Sequence, residues 1–488
     1  MAKINKGGAA LAATLLLSAC ATPDQIARLS GQQAGFAFVS SQSKTILGRD
    51  TVMLMDAAAI EANAKRVHAL VHEKTINADT AVQVALLNNR GLQATYAQLG
   101  VSSADVWQSI MAPNPIVSLG VFGIDADGLN GYRSVEGMIA FNLLAVFTQA
   151  DRTRLAELRF TQTQLKAVEE TLRVAVDTRK AWIEAVAAFE SSGLIRDAQS
   201  TADAASELAA QLGRTGFLSK AEQAREHAFY AELAGQRARA RLDAQLAKEA
   251  LTRQLGLWGT EVDYYVPNNL PRLPGHIHGR PGIEAEALRN RVDLAAAKLE
   301  LQALARARGM TEATRFVSDL ELLLGAEKER ENSGGLIESE TTQQVEIEFE
   351  IPIFDTGRAK LKRAEAEYMI AAHQLAEMAV NTRSEARSAY ASYAGSHRIA
   401  QHYRAAVLPL RQTIEEEALL SYNGMITNTF ELLADTRGRL NSNLMEAGAR
   451  RDFWLADANL LATIFGGGAA TGATGAAANV AGDAGAGH

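Results

Sequence analysis

The sequence predicts a mainly α-helical chain built on long antiparallel coiled-coil helices, with four β-strands that one copy cannot complete. Three observations lead there. Apolar and small residues recur at alternating spacings of three and four over very long stretches. Short regions alternate apolar and polar residues with period two, as strands do. The whole order of these features then occurs twice along the chain.

Composition agrees with that class. The 488 residues are 47% hydrophobic but only 6% aromatic, and nine are proline. Low proline with abundant Ala, Glu, Arg and Leu suits long helices. A net charge of -7 argues against nucleic acid as a partner. Downstream of the N-terminus no apolar run reaches the roughly 18–20 residues of a spanning helix. Any membrane crossing must therefore be made by strands.

Residues 1–19 read as a lipoprotein signal peptide: Lys3 and Lys6 precede an apolar run from Ala9 to Leu17. Leu17-Ser18-Ala19-Cys20 resembles the bacterial lipobox, which makes Cys20 the expected lipidation site. It is also the only cysteine, so no disulfide framework enters the argument. Ala21 follows it, and resemblance to other lipoproteins then favours the outer membrane. Acyl chains on Cys20 supply a stable anchor.

Residues 20–78 form a lipid-anchored, weakly patterned segment. Within it His68 and His72 stand four apart, a spacing compatible with metal. With no third ligand near, they read as an ordinary polar helix face. The first repeat covers 79–258. It has a helix over 79–111, two strands within about 115–144, and a long helical hairpin over 151–256. The hairpin's seam runs Leu158, Thr161, Leu165, Val168, Leu172, Ala175, Arg179, Trp182, Val186, Phe189. Residues 259–281, with four prolines, read as a linker.

The second repeat covers 282–465: a helix over 282–313, strands within about 315–353, and a hairpin over 358–465. Residues 328–340 read as a polar loop. The last strand is the clearest, since Val345, Ile347, Phe349 and Ile351 alternate with Glu346, Glu348 and Glu350. The Gly/Ala tail 466–488 is expected to be disordered.

The strands have one apolar and one carboxylate face. In a bilayer only a closed barrel satisfies every backbone polar group. Two copies give eight strands, whose interior side chains fill; crowded carboxylates there are costly. Three copies give twelve strands and a watery lumen. The expected lumen wall is Glu136, Asp319, Glu321, Glu346, Glu348 and Glu350, in a homotrimer.

The motifs PIFDTGRAKLKRAEAEY and AVQVALLNNRGLQATYAQLG, and the turn YNGMITNTFELLAD, together with the duplicated layout, resemble the TolC-like outer-membrane efflux proteins over residues 79–465. The resemblance implies a twelve-strand barrel on a helical tunnel, docked on a periplasmic adaptor coupled to an inner-membrane pump, in efflux or type I secretion. It implies that the hairpin turns Gly216, Phe217, Leu218, Ser219 and Gly424, Met425, Ile426, Thr427 meet the adaptor. It also implies a carboxylate constriction just past the second turn, here Glu431 and Asp435, four apart on one helical face. The competing reading of those two is a solvated helix face. Arg214 and Lys220 are candidate partners that latch the closed state. The YNGM turn resembles members of metal-resistance systems, which leaves metal or drug as cargo.

No P-loop, Ser/His/Asp or Cys/His arrangement, or dense ligand cluster is present, so no enzyme, cofactor or metal centre is expected. His276-Ile277-His278 reads as a solvated loop. The alternative classes are a periplasmic adaptor and a structural coiled-coil lipoprotein. Neither would carry duplicated barrel strands.

Overall fold

The structure, a computed structural model, describes residues 23–125, 129, 131–214, 219–277, 279–317, 319–333, 336–423 and 429–466. Cys20, His278 and the Gly/Ala tail after Gly466 lie outside them, as do Gly216, Phe217, Leu218, Gly424, Met425, Ile426 and Thr427. No described helix is long and apolar enough to cross a membrane.

Three helices open the chain where little pattern was legible: α1 (Pro23–Ser30), α2 (Phe36–Leu47) and α3 (Ala57–Val71). Next come α4 (Ala78–Asn88), α5 (Arg90–Ile110), β1 (Ile116–Phe122), β2 (Ser134–Asn142) and the short α6 (Leu143–Phe147). The long pair α7 (Gln149–Arg214) and α8 (Lys220–Leu255) completes the first repeat. The second has α9 (Ile283–Asn290), α10 (Val292–Thr314), β3 (Leu320–Ser333), β4 (Leu336–Phe349), α11 (Arg358–His402), α12 (Leu408–Asn423) and α13 (Thr429–Phe465). The 66 residues of α7 extend about 100 Å at 1.5 Å each.

Several expectations need correction. The helices expected over 79–111 and 282–313 are each broken once, at Asn89 (φ -63, ψ 118) and Arg291 (φ -65, ψ 120). The near-identical dihedrals show the duplication at the level of single residues. Leu143, expected in a strand, opens α6, because the Asn142 side chain accepts the Ala145 N–H at 2.6 Å and caps the helix. Residues 328–340 are not a loop but strand on both sides of the hairpin. Between α11 and α12, Tyr403–Val407 forms a π-helical turn. Pro409 stands two residues beyond its end; proline cannot donate to the helix ladder and its ring crowds the preceding turn, so the helix widens there.

The chain forms two compact units. The first takes residues up to Ser41, Ala94–Ala167 and Asp293–Ala379; the second takes Gln42–Gln93, Val168–Val292 and Val380 onward.

In the first unit the strands form one antiparallel sheet in the order β1-β2-β3-β4. Beyond β4 the PIFDTGR motif turns the chain into α11. Asp355 Oδ1 accepts the Gly357 N–H at 2.9 Å, closing a side-chain-to-backbone turn. Gly357 sits at φ +70, and a Cβ there would lie 3.0 Å from the Cβ of Arg315. Only glycine fits both demands.

In the second unit the Asn88-Asn89 pair explains the ALLNNRG motif. Asn88 Nδ2 donates to the carbonyls of Leu255 (3.2 Å) and Gly256 (2.7 Å), and Asn89 Nδ2 donates to Gln254 O at 3.0 Å. Asn89 Oδ1 also accepts the Leu92 N–H at 3.1 Å, capping α5. Gly256 must be glycine: its φ is +68, and a Cβ would lie 2.8 Å from the Asn88 carbonyl oxygen. The proline-rich stretch packs here too. Leu270 and Leu273 are buried. The Pro271 carbonyl accepts the Trp454 Nε1–H at 3.1 Å, and the Pro274 carbonyl lies 2.8 Å from His397 Nε2.

A buried ion cluster lies in this unit. Arg450 on α13 bonds Glu190 of α7 at 2.5 Å and Glu446, one turn away, at 3.1 Å. The other Glu190 oxygen accepts the Leu270 N–H at 3.1 Å. Burial lifts the Glu446 carboxyl above the ordinary range and Glu190 adds to that, while Arg450 and Arg404 pull it down.

Candidate functional site: the two-faced sheet and the hairpin tips

Residues directly opposite one another in neighbouring strands share a face. The register therefore sorts the whole sheet. One row runs Val117, Ile139, Leu324, Val345. The next toward the helices has Phe141, Leu322 and Ile347, and the one after it Leu320 and Phe349. Toward the hairpin turns lies Leu119, Gly137, Ala326, Gln343. This face is apolar. Its own chain does not cover it: Val345 is 75% exposed and Ile347 60%.

The opposite face carries the carboxylates. Glu321 stands opposite Glu348, and Glu346 opposite Leu323. Glu136 stands opposite Glu327, Glu329 opposite Glu340, and Glu331 opposite Glu338. Like charges directly opposed destabilise a pair, so such a face requires high-dielectric surroundings. Of the expected acidic residues, Glu136, Glu321, Glu346 and Glu348 fall on this face. Asp319 and Glu350 fall just outside the strands, because β3 begins at Leu320 and β4 ends at Phe349. Glu327, Glu329, Glu331, Glu338 and Glu340 were missed. Their signal was the strict alternation of Glu327, Glu329 and Glu331 ahead of Gly334-Gly335, a two-residue hairpin signature.

At the tips, Arg214 ends α7, Ser219 immediately precedes α8 and Lys220 opens it; all three are exposed. Glu431 lies on α13, and Asp435 follows on the same helix, half-buried. Among the described residues no ion pair joins Arg214 or Lys220 to Asp435. The nearby contacts run between helices instead. The Arg437 guanidinium lies 3.7 Å from the ring centre of Phe229 on α8, a cation–π contact joining the two hairpins of one chain. Arg439 pairs with Glu415 across the second hairpin. His68 and His72 stack with ring centres 4.3 Å apart. No metal-competent group of three or more ligands occurs among the described residues.

The chain combines a small antiparallel sheet, apolar on one face and acidic on the other, with duplicated long helical hairpins. No family model and no curated protein matches the sequence, but solved structures match the fold. CusC, described for transmembrane channel formation, superposes with a TM-score of 0.65 at 15% identity, covering 80% of this chain and 92% of that one. VceC, an outer-membrane protein of Vibrio cholerae, gives 0.63 at 15% identity over 80% of this chain and 96% of its own. The outer-membrane channel OprN gives 0.62 at 17% identity over 87% and 95%. The chain has their fold.

Proposed function

We propose that the chain is the outer-membrane channel subunit of a TolC-like tripartite efflux or secretion system. Three copies contribute four strands each to a twelve-strand barrel, with the apolar face on lipid and the acidic face on a water-filled lumen. The observation that carries this reading is the register: it gathers every carboxylate of the strands on one face and leaves the other, largely apolar face without cover. Its edge strands β1 and β4 require partners in a bilayer, and neighbouring copies supply them.

Cys20 carries the lipid anchor. Ser219 and the turn residues Gly216, Phe217, Leu218, Gly424, Met425, Ile426 and Thr427 meet a periplasmic adaptor, which couples to an inner-membrane pump. The pump selects the cargo, metal or drug, and supplies the energy; the channel conducts passively. A periplasmic adaptor or a structural coiled-coil lipoprotein would have no use for the two-faced sheet. Heat-modifiable, trimer-sized migration from an outer-membrane fraction is the expected result. A soluble monomer after removal of the lipid anchor would contradict it.

Glu431 and Asp435 form the periplasmic constriction, three copies of each attracting cations. Arg214 and Lys220 latch it by pairing with those carboxylates in a neighbouring hairpin. The Glu431→Gln/Asp435→Asn variant is expected to show changed conductance and lower cation selectivity in planar bilayers. Unchanged values would assign both residues to a solvated helix face.

A further inference from the structure

The apolar face does not stay apolar to the end of the sheet. Along β3 it reads Leu320, Leu322, Leu324, Ala326 and then Lys328 and Arg330. Lys328 stands opposite Val135 in the row that includes Val121. In the next row the Arg330 N–H donates to the Arg133 carbonyl at 2.8 Å, which puts Arg133 beside Arg330 at the same level. Lys328 is exposed; the Arg133 guanidinium instead reaches Glu329 of the acidic face, 3.6 Å away, and does not join the basic level. The Arg330 guanidinium lies 4.8 Å from the ring centre of Tyr132, which steadies its planar fork at the surface. From Leu320 to Lys328 the strand covers roughly 27 Å before tilt, close to the height of an outer-membrane barrel's apolar band.

The basic level lies at the hairpin-turn end of the sheet, opposite the strand ends that lead into helices. Its charge sign is specific to this face. On the other face the same level holds Glu327, Glu329 and Glu340, and the whole chain is acidic. Two cations and a tyrosine at the upper edge of a lipid-facing band complement phosphate in a lipid headgroup, since guanidinium and ammonium groups bind phosphate by charge-assisted hydrogen bonds.

We infer that Lys328 and Arg330, with Tyr132, form a collar that binds the phosphates of an anionic glycolipid in the outer leaflet. The inference rests on the barrel reading above, which places this face in lipid with the hairpin turns outward.

The test uses the full chain in neutral detergent, with lipid A as probe beside lipid A stripped of its phosphates. Native mass spectrometry is expected to show wild type retaining at least roughly tenfold more of the phosphorylated form. A Lys328→Gln/Arg330→Gln variant loses that preference while still migrating as a trimer. Equal retention of both lipids by wild type overturns the inference even if the variant fails to assemble. So does an unaltered preference in the variant, or displacement of lipid A by equimolar inorganic phosphate. A trimer in the membrane fraction without lipid preference sinks this inference alone. A soluble monomer sinks the barrel reading and the collar with it.

Discussion

Replacing Arg450 with alanine is expected to destabilise the second unit by about 3–5 kcal/mol, the usual cost of stranding a buried charge. Glu190 is the group left behind. Only 6% of its side chain is exposed, and its other oxygen is committed to the Leu270 N–H. Glu446, already held above the ordinary carboxylate range by burial, loses its nearest cation as well. The cluster joins α7 of the first repeat, α13 of the second and the proline-rich stretch between them, so its loss loosens all three. Replacing both partners with apolar residues of similar volume, as in Glu190→Leu/Arg450→Met, is expected to recover part of the loss, because Glu190 is then no longer stranded while Glu446 still lacks its cation. Chemical denaturation of the single and double variants checks this. Equal destabilisation by both would show that packing, not charge pairing, is at stake.

The second large effect concerns the apolar face. Leu324 lies mid-strand in the row Val117, Ile139, Leu324, Val345. In the proposed barrel, Leu324→Arg would put a cation on the lipid side of each subunit, at about 2–4 kcal/mol per copy near the bilayer midplane. Three copies should abolish the heat-modifiable trimer in outer-membrane fractions. Glu346→Arg, in the adjacent row on the opposite face, is expected to leave the trimer intact and to lower cation selectivity. Trimers formed equally well by both variants would mean that the apolar face does not meet lipid.

The alternation of Val345, Ile347 and Phe349 with glutamates made the last strand legible, because its polar positions all carry one chemical type. The extension of β3 and β4 past β2 was not legible in the same way. Beyond Ala326 the residues of β3 are polar on both faces, so Lys328, Arg330 and Asn332 no longer contrast with Glu327, Glu329 and Glu331, and Gly334-Gly335 looks like loop. Only cross-strand register separates the basic face from the acidic one.

The helical hairpins were legible from their seams, and the breaks within the shorter helices were not. Asn89 and Arg291 lie inside unbroken helical patterns; the interruption at Asn89 is held by hydrogen bonds to Gln254 and Leu92. Pro409 was a visible signal for the π-helical turn. The Glu190–Arg450 pair was beyond reach, since its members are 260 residues apart and neither stands out from the charged residues around it.

The most direct measurement follows four consecutive side chains of β4. Cys20 is the chain's only cysteine, so in a Cys20→Ala background each introduced thiol reports alone. Gln344→Cys, Val345→Cys, Glu346→Cys and Ile347→Cys are placed in liposomes and exposed to a membrane-impermeant maleimide. The account predicts labelling at 344 and 346 and protection at 345 and 347, the period of a strand between water and lipid. Equal labelling of all four positions, or protection in the opposite phase, would contradict it.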